Sequence, residues 1–418
     1  MLDNLENCRV AHFFSMEMKE LLSLSFLAIG LLPICAILAQ EKKLPQDTPA
    51  GQYDELKVPP YTLPDPLVML NGQRIADTSV WNMKRRPEIL RMFEENVYGK
   101  AAVDRPEGMH WETTVDRNVL NGSAVEKKVM LYFSKENSWP KLEIDIILPN
   151  LGKPAPIFVA STWVPDAKLV VSKGFGLVTF DAREIEPDDK DSAYAKGIRK
   201  FFDPPERKVP GPDEWGTIAA WSWTMRRVMD YIETDTTIDT RKVCLLGFSR
   251  FGKAAMWAGA QDERFAIIFS CESGCGGATV VRRGIGETVK LINDQFPHWY
   301  NGNFKSFNNR VNELPVDWHM LIALMAPRPV YVSTAEEDLW GDPRGTFLAA
   351  KAAEPVYELF GERGLRVTQM PPIEISVGDF IGYHMRKGKH GLIDDDTEKF
   401  IEFAKKHFSK TDAKNSRY

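Results

Sequence analysis

The sequence predicts an α/β architecture: a mostly parallel, doubly wound sheet between two helical layers, with antiparallel strands on its N-terminal side. From Ile157 onward, short apolar runs alternate with stretches of helix formers, the order of a doubly wound sheet. Upstream, Lys127 to Phe133 and Leu142 to Leu148 alternate apolar and polar residues, as antiparallel strands with one solvated face do. The third observation is KVCLLGFSRFGK at Lys242 to Lys253. There an apolar run, a Gly-Phe-Ser-Arg break and a helix-forming run follow one another.

Length and composition agree. The 418 residues are 44% hydrophobic and 27% charged, enough for one large domain or two ordinary ones around a sizeable core. A net charge of −5 gives no hint of nucleic acid or an anionic membrane as partner. Leu21 to Ala39 is apolar and uncharged, with Lys19 before it and Gln40-Glu41-Lys42-Lys43 after it. It reads as a secretory signal cleaved after Ala39, with Met16 or Met18 as the start; the competing reading is an N-terminal membrane anchor. Glu41 to Pro66 is polar and proline-rich, a linker or a surface arm. The expected organisation is a signal at 1–39, a linker or arm at 40–62, and one domain at 63–418.

Val80 to Tyr98 has helical periodicity and stops at Gly99. Trp111 to Val115 is the first expected strand, ahead of the two alternating ones. Ile157 to Ala160 and Leu177 to Phe180 are short buried strands. Asp188 to Pro212, charged and proline-containing, is expected to be a long surface loop. Trp215 to Ile232 is a helix that leads into the central strand, Val243 to Leu246. Phe251 to Ala260 is the next helix and Phe265 to Ser270 the next strand. Gly276 to Pro315 is expected to be an insertion without regular pattern. Helix Trp318 to Met325, strand Pro329 to Ser333, helix Gly345 to Phe360, strand Phe380 to Met385 and helix Asp396 to Phe408 complete the chain. Asp394 or Asp395 stands near the last N-cap. Of five cysteines, Cys8 and Cys35 fall in or before the signal. Cys244 reads as a buried thiol, and Cys271 and Cys275 as a candidate pair across their turn. No metal-ligand spacing is present.

A serine between a buried strand and a helix is held on strained backbone at the C-terminal edge of a parallel sheet. The helix N-terminus behind it favours developing negative charge. Ser249 occupies that place, the nucleophile elbow of the three-layer α/β-hydrolase fold. The spacing departs from G-x-S-x-G, because Gly252 follows Ser249 by three residues. The competing reading is a Gly-Ser turn of any strand–helix unit. An elbow serine needs an acid and a histidine, usually in that chain order. His390 lies between the last strand and the last helix, where a histidine can reach back to the serine. His384, inside the strand, reads as a satisfied sheet histidine. Glu272 ends the strand after the elbow, and Asp338 the strand after that. Either can hold the imidazole tautomer. The Arg250 backbone N–H is expected to donate to an oxyanion, with its guanidinium as a further charged donor. The loop at Ser161-Thr162-Trp163 has no glycine and is assigned no donor. Lys253, one turn into the helix, faces either the pocket or solvent, and His298 either lines the site or serves the structure.

Taken together, these stretches resemble the glucuronoyl esterases, carbohydrate esterases of the α/β-hydrolase fold. The resemblance runs from about Leu63 to Phe408. It rests on LPDPL at Leu63 to Leu67, RRPEIL ending at Leu90, VYG at Val97 to Gly99, and GFSRFGK at Gly247 to Lys253. ESG at Glu272 to Gly274, RRGIGE at Arg282 to Glu287, APRPVYV at Ala326 to Val332, EDLWGDPRG at Glu337 to Gly345 and RKGKHG at Arg386 to Gly391 follow. It implies a serine esterase cutting the ester between a (4-O-methyl-)glucuronic acid carboxyl and an alcohol, as in lignin–glucuronoxylan linkages. Carried over, Ser249 is the nucleophile, His390 its histidine and Arg250 the oxyanion arginine. Glu272 and Asp338 match the acid positions of two branches. Lys253, Glu287, Gln295 and Trp340 fall where the family contacts hydroxyls of the glucuronoyl ring. Ile157 to Trp163 departs from the family, lacking its usual Gly-Asn loop. No cofactor or metal is implied, and the expected protein is a secreted or periplasmic monomer. One alternative is an acetylxylan or other acyl esterase, against which Lys253 and Glu287 argue. The other is a hydrolase-fold carbohydrate-binding protein without activity, against which the retained serine, histidine and acids argue.

Overall fold

Ten strands form one sheet among residues 48–415, which the structure, a computed structural model, describes. They are β1 (His110–Val119), β2 (Ala124–Tyr132), β3 (Lys141–Pro149), β4 (Ala155–Ser161), β5 (Gly176–Phe180), β6 (Ile238–Phe248), β7 (Ile267–Cys271), β8 (Val330–Ala335), β9 (Val377–Gly378) and β10 (Ile381–Arg386). Their order is β1-β2-β3-β5-β4-β6-β7-β8-β10-β9. β1, β2, β3 and β5 pair antiparallel, and so do β9 and β10. From β5 through β4, β6, β7 and β8 to β10 every pairing is parallel. The expected signal at Leu21 to Ala39 lies outside the described residues. Among these, no helix is long and apolar enough to cross a membrane.

The central strand shows why the fold has three layers. Along β6, Val243 and Leu245 enter one apolar cluster, while Cys244, Leu246 and Phe248 enter the other. A strand segment buried on both faces must be apolar, and β6 is apolar from Val243 to Phe248, where it is buried. The first cluster includes the inner faces of helices Thr217–Ile232, Arg250–Gln261, Trp318–Ala323 and Pro343–Leu359; the second includes those of Ala167–Ser172 and Asp394–Asn415. The helix expected at Val80 to Tyr98 forms, with π-helical turns at Trp81–Arg85 and Glu94–Tyr98. It ends at Gly99, where φ is +79° and a Cβ would lie 2.2 Å from the Glu214 carbonyl oxygen.

Three expectations need correction. Asp188 to Pro212 is not a simple surface loop. It carries helices Ala193–Lys196 and Ile198–Phe202, and Arg199 is buried against Glu186 at 2.7 Å. Gly276 to Pro315 is buried over most of Gly276 to Val289 and carries a helix at Val289–Gln295. Arg282 pairs with Asp317 at 3.0 Å and donates to the Val316 and Leu314 carbonyls, so buried charge replaces apolar periodicity as the organising element. Cys271 and Cys275 are free and buried, as is Cys244. The N-terminal arm also has contacts of its own. The Gln52 carbonyl accepts the Gly286 amide at 2.9 Å, and Glu55 pairs with Arg283 and Arg344.

Candidate active site

Ser249 stands between β6 and helix Arg250–Gln261 with φ +54° and ψ −127°. Such a backbone is costly for a residue with a Cβ and persists only where its surroundings enforce it. The Ser249 amide donates to the Cys271 carbonyl at 2.9 Å, which ties the turn to β7. A Cβ at Gly247 would lie 2.1 Å from the Phe251 carbonyl oxygen, so the helix can turn back over the strand only with glycine there. This accounts for the unusual spacing. Phe251, where a glycine is usual, turns its ring into the core against Trp221, at 4.7 Å between centroids, and Gly252 packs against Ser273 instead.

His390 Nε2 lies 3.0 Å from Ser249 Oγ. Its Nδ1 lies 2.8 Å from Asp338 Oδ2 and 3.0 Å from Glu272 Oε2. Both expected acids therefore meet one nitrogen. Burial pulls the His390 pKa down, but the hydrogen bonds and charges of Asp338 and Glu272 outweigh it and push the pKa up to about 9. Burial pushes the Glu272 carboxyl up, against the pull of His390 and Arg386. His384 is fully buried between the Tyr331 hydroxyl and Asp396, away from Ser249, as a sheet histidine should be.

Arg386 is a residue that sequence reasoning did not single out. Its Nη2 donates to Glu272 Oε1 at 2.7 Å and to the carbonyls of Lys389 and Gly391, which flank His390. Its Nε reaches Asp396 at 3.1 Å. One buried guanidinium thus fixes an acid and the histidine loop together. Arg386→Met is expected to cost about 3–5 kcal/mol of stability, because it strands two buried carboxylates. Denaturant unfolding checks this, and a loss below about 1 kcal/mol would deny the residue that role. The only sequence signal was its place in RKGKHG, four residues before His390.

A cleft of about 630 Å³ opens beside Ser249, lined by Thr162, Trp163, Val164, Phe248, Arg250, His390, Gly391 and Leu392. Two clefts of similar volume elsewhere contain neither Ser249 nor His390. The Thr162 amide donates to the Phe180 carbonyl and the Trp163 amide to that of Ser161, so this loop has spent both donors. Arg250 lines the cleft and pairs with Asp188 at 2.5 Å.

The four residues expected at the sugar are brought together in part. Lys253 is buried, and its ammonium donates to the carbonyls of Ser273 (2.8 Å) and Cys275 (2.5 Å) and to Glu287 Oε2 (2.7 Å). Its three protons are all in use. A sugar hydroxyl approaching Lys253 must displace one of these acceptors or bond to Glu287 beside it. The Glu287 amide donates to the Trp340 carbonyl at 2.9 Å, so those two neighbour each other. Gln295 is exposed at the end of helix Val289–Gln295 and makes no hydrogen bond to the other three.

Known proteins resemble this chain in sequence and in fold. The family described as "Glucuronyl esterase, fungi" matches residues 132–361, more than half of the chain. A glucuronoyl esterase structure from Solibacter usitatus superposes with a TM-score of 0.80 at 41% identity, over 84% of this chain and 99% of that one. A carbohydrate esterase from an unknown prokaryotic organism is 38% identical over 400 residues, 85% of this chain and 92% of that protein. The 4-O-methyl-glucuronoyl methylesterase of Phanerochaete carnosa is 27% identical over 351 residues, covering 81% of this chain and 82% of the relative. With a matching family over most of the catalytic sheet and relatives aligned nearly end to end, the chain belongs to the glucuronoyl esterase family.

Proposed function

We propose that this protein is a serine esterase that hydrolyses esters of glucuronic acid or its 4-O-methyl ether, as in bonds between glucuronoxylan and lignin alcohols. The observation that carries the reading is the continuous line from Ser249 Oγ through His390 to two carboxylates, set on an elbow at the mouth of a cleft. In this reading Ser249 Oγ attacks the ester carbonyl carbon while His390 Nε2 takes its proton. The Arg250 amide, free at the first turn of its helix, and the Arg250 guanidinium meet the oxyanion. The guanidinium supplies what the Thr162 and Trp163 amides, donated elsewhere, do not. Collapse expels the alcohol, protonated by His390, and leaves a glucuronoyl ester on Ser249. Water, deprotonated by His390, then releases the sugar acid and restores the serine. Asp338 and Glu272 stabilise the imidazolium formed in each half.

In this reading Glu287, braced by Lys253, and the neighbouring Trp340 bind the sugar, and Gln295, exposed at the end of helix Val289–Gln295, is a further contact for its hydroxyls. The stretch Leu21 to Ala39 supports secretion or a periplasmic location. The test is a comparison of kcat/KM for benzyl glucuronate and an aryl acetate. The glucuronate should be strongly preferred. Lys253→Ala is expected to lower the glucuronate value by about 10- to 100-fold and the acetate value much less. Equal losses would assign Lys253 to the elbow and remove the chemical support for a sugar acid.

A further inference from the structure

We infer that Asp188 is a positioning residue for this esterase, holding the Arg250 guanidinium in the place from which it meets the oxyanion; the inference rests on the oxyanion role of Arg250 proposed above. Asp188 Oδ2 accepts from Arg250 Nη1 at 2.5 Å. Its other oxygen accepts from His298 Nε2 at 3.0 Å and from Trp299 Nε1 at 2.7 Å. The carboxylate is therefore anchored on the side away from Arg250 before it grips the guanidinium. The aromatic rings of the same segment complete the hold. The guanidinium carbon lies 4.9 Å from the Trp299 centroid and 5.4 Å from that of Phe296, and these two rings stack at 3.8 Å. Trp163 closes the third side at 5.7 Å.

An oxyanion donor acts best when it need not reorganise as charge develops. A free arginine side chain gives up rotamer freedom each time it meets its ligand, whereas a clamped one has given it up on folding. The clamp also leaves donor capacity. Arg250 Nε is buried with no acceptor among the described residues, and the residue still lines the Ser249 cleft. Burial would raise the Asp188 pKa, but hydrogen bonds from His298, Trp299 and Arg250 hold it at about 2. The clamp therefore stays charged wherever the enzyme works.

The test is a double-mutant cycle of Asp188→Asn and Arg250→Ala, read as kcat, KM and melting temperature with benzyl glucuronate. Arg250→Ala is expected to lower kcat by about 10²- to 10³-fold. Asp188→Asn should lower kcat by about 10- to 100-fold with KM little changed, and should add almost nothing once Arg250 is gone. Full kcat in Asp188→Asn beside an impaired Arg250→Ala would overturn the clamp and leave the oxyanion reading standing. Losses that add in full would show that Asp188 acts by another route and would overturn it too. An unimpaired Arg250→Ala would instead refute the oxyanion reading itself. If Asp188→Asn does not fold, Asp188→Glu replaces it in the same cycle: it keeps the charge but displaces the carboxylate by one methylene, and the same non-additivity is required.

Discussion

Ser249→Ala is expected to remove ester hydrolysis, with kcat falling by about 10⁴- to 10⁶-fold, while the fold and sugar-acid binding persist. The size follows from what the oxygen does. Among the described residues it is the atom that the geometry offers to an ester carbon with a base at 3.0 Å, so its loss leaves transition-state binding and water. The absence of a folding penalty follows from the neighbours. The positive φ at Ser249 is imposed by Gly247 and β7, and alanine carries the same Cβ, so the strain is unchanged. No buried donor loses its partner, because the half-exposed His390 edge can take water. The checks are kcat on benzyl glucuronate, a thermal melt, and labelling by a fluorophosphonate, which should mark the parent protein and not the variant. Residual activity above about a tenth would move the nucleophile elsewhere.

The sheet was readable because its strands are buried on both faces. Val243 to Leu246 or Ile267 to Cys271 can be little else than core strands once helix-forming runs separate them. The elbow, His390 and the two acids were readable because each falls at a strand end, and strand ends are visible in the apolar pattern. Asp188 and Arg386 were not. Both act through buried or half-buried charge, and charge in a sequence looks the same whether it faces water or an ion-pair partner. Asp188 opens the run DDKD, which reads as solvated, yet its carboxylate is bound by three side chains from distant stretches. The insertion from Gly276 was opaque for the same reason: Lys253 pairs with Glu287, Arg282 with Asp317, and Arg283 with Asp342 and with Glu55, all distant in the chain. Lys253 was placed on the correct helix turn, but nothing in the string disclosed that Ser273, Cys275 and Glu287 would absorb its protons.

The acid pair carries the other large effect. Asp338 and Glu272 approach the same Nδ1 at 2.8 and 3.0 Å, so each can hold the tautomer when the other is gone. Asp338→Asn and Glu272→Gln should each leave measurable activity, and the double variant should approach the loss of His390→Ala, about 10⁴-fold. The pH profile adds a reading that does not depend on absolute rates. His390 works as a base only when neutral, and its pKa is raised to about 9, so kcat/KM should climb with pH until that point. The sign for stability is opposite. A raised imidazole pKa stabilises the fold below the unfolded value of about 6.5, and that contribution fades as pH rises through about 9. Removing either carboxylate lowers the pKa, so the acid limb of both single variants should move to lower pH. In Glu272→Gln, Arg386 also loses one of its two carboxylate partners and keeps only Asp396, so that variant should melt earlier than Asp338→Asn. Acid limbs that stay in place, or single losses that sum in log rate to the double, would mean the two acids do not share the histidine.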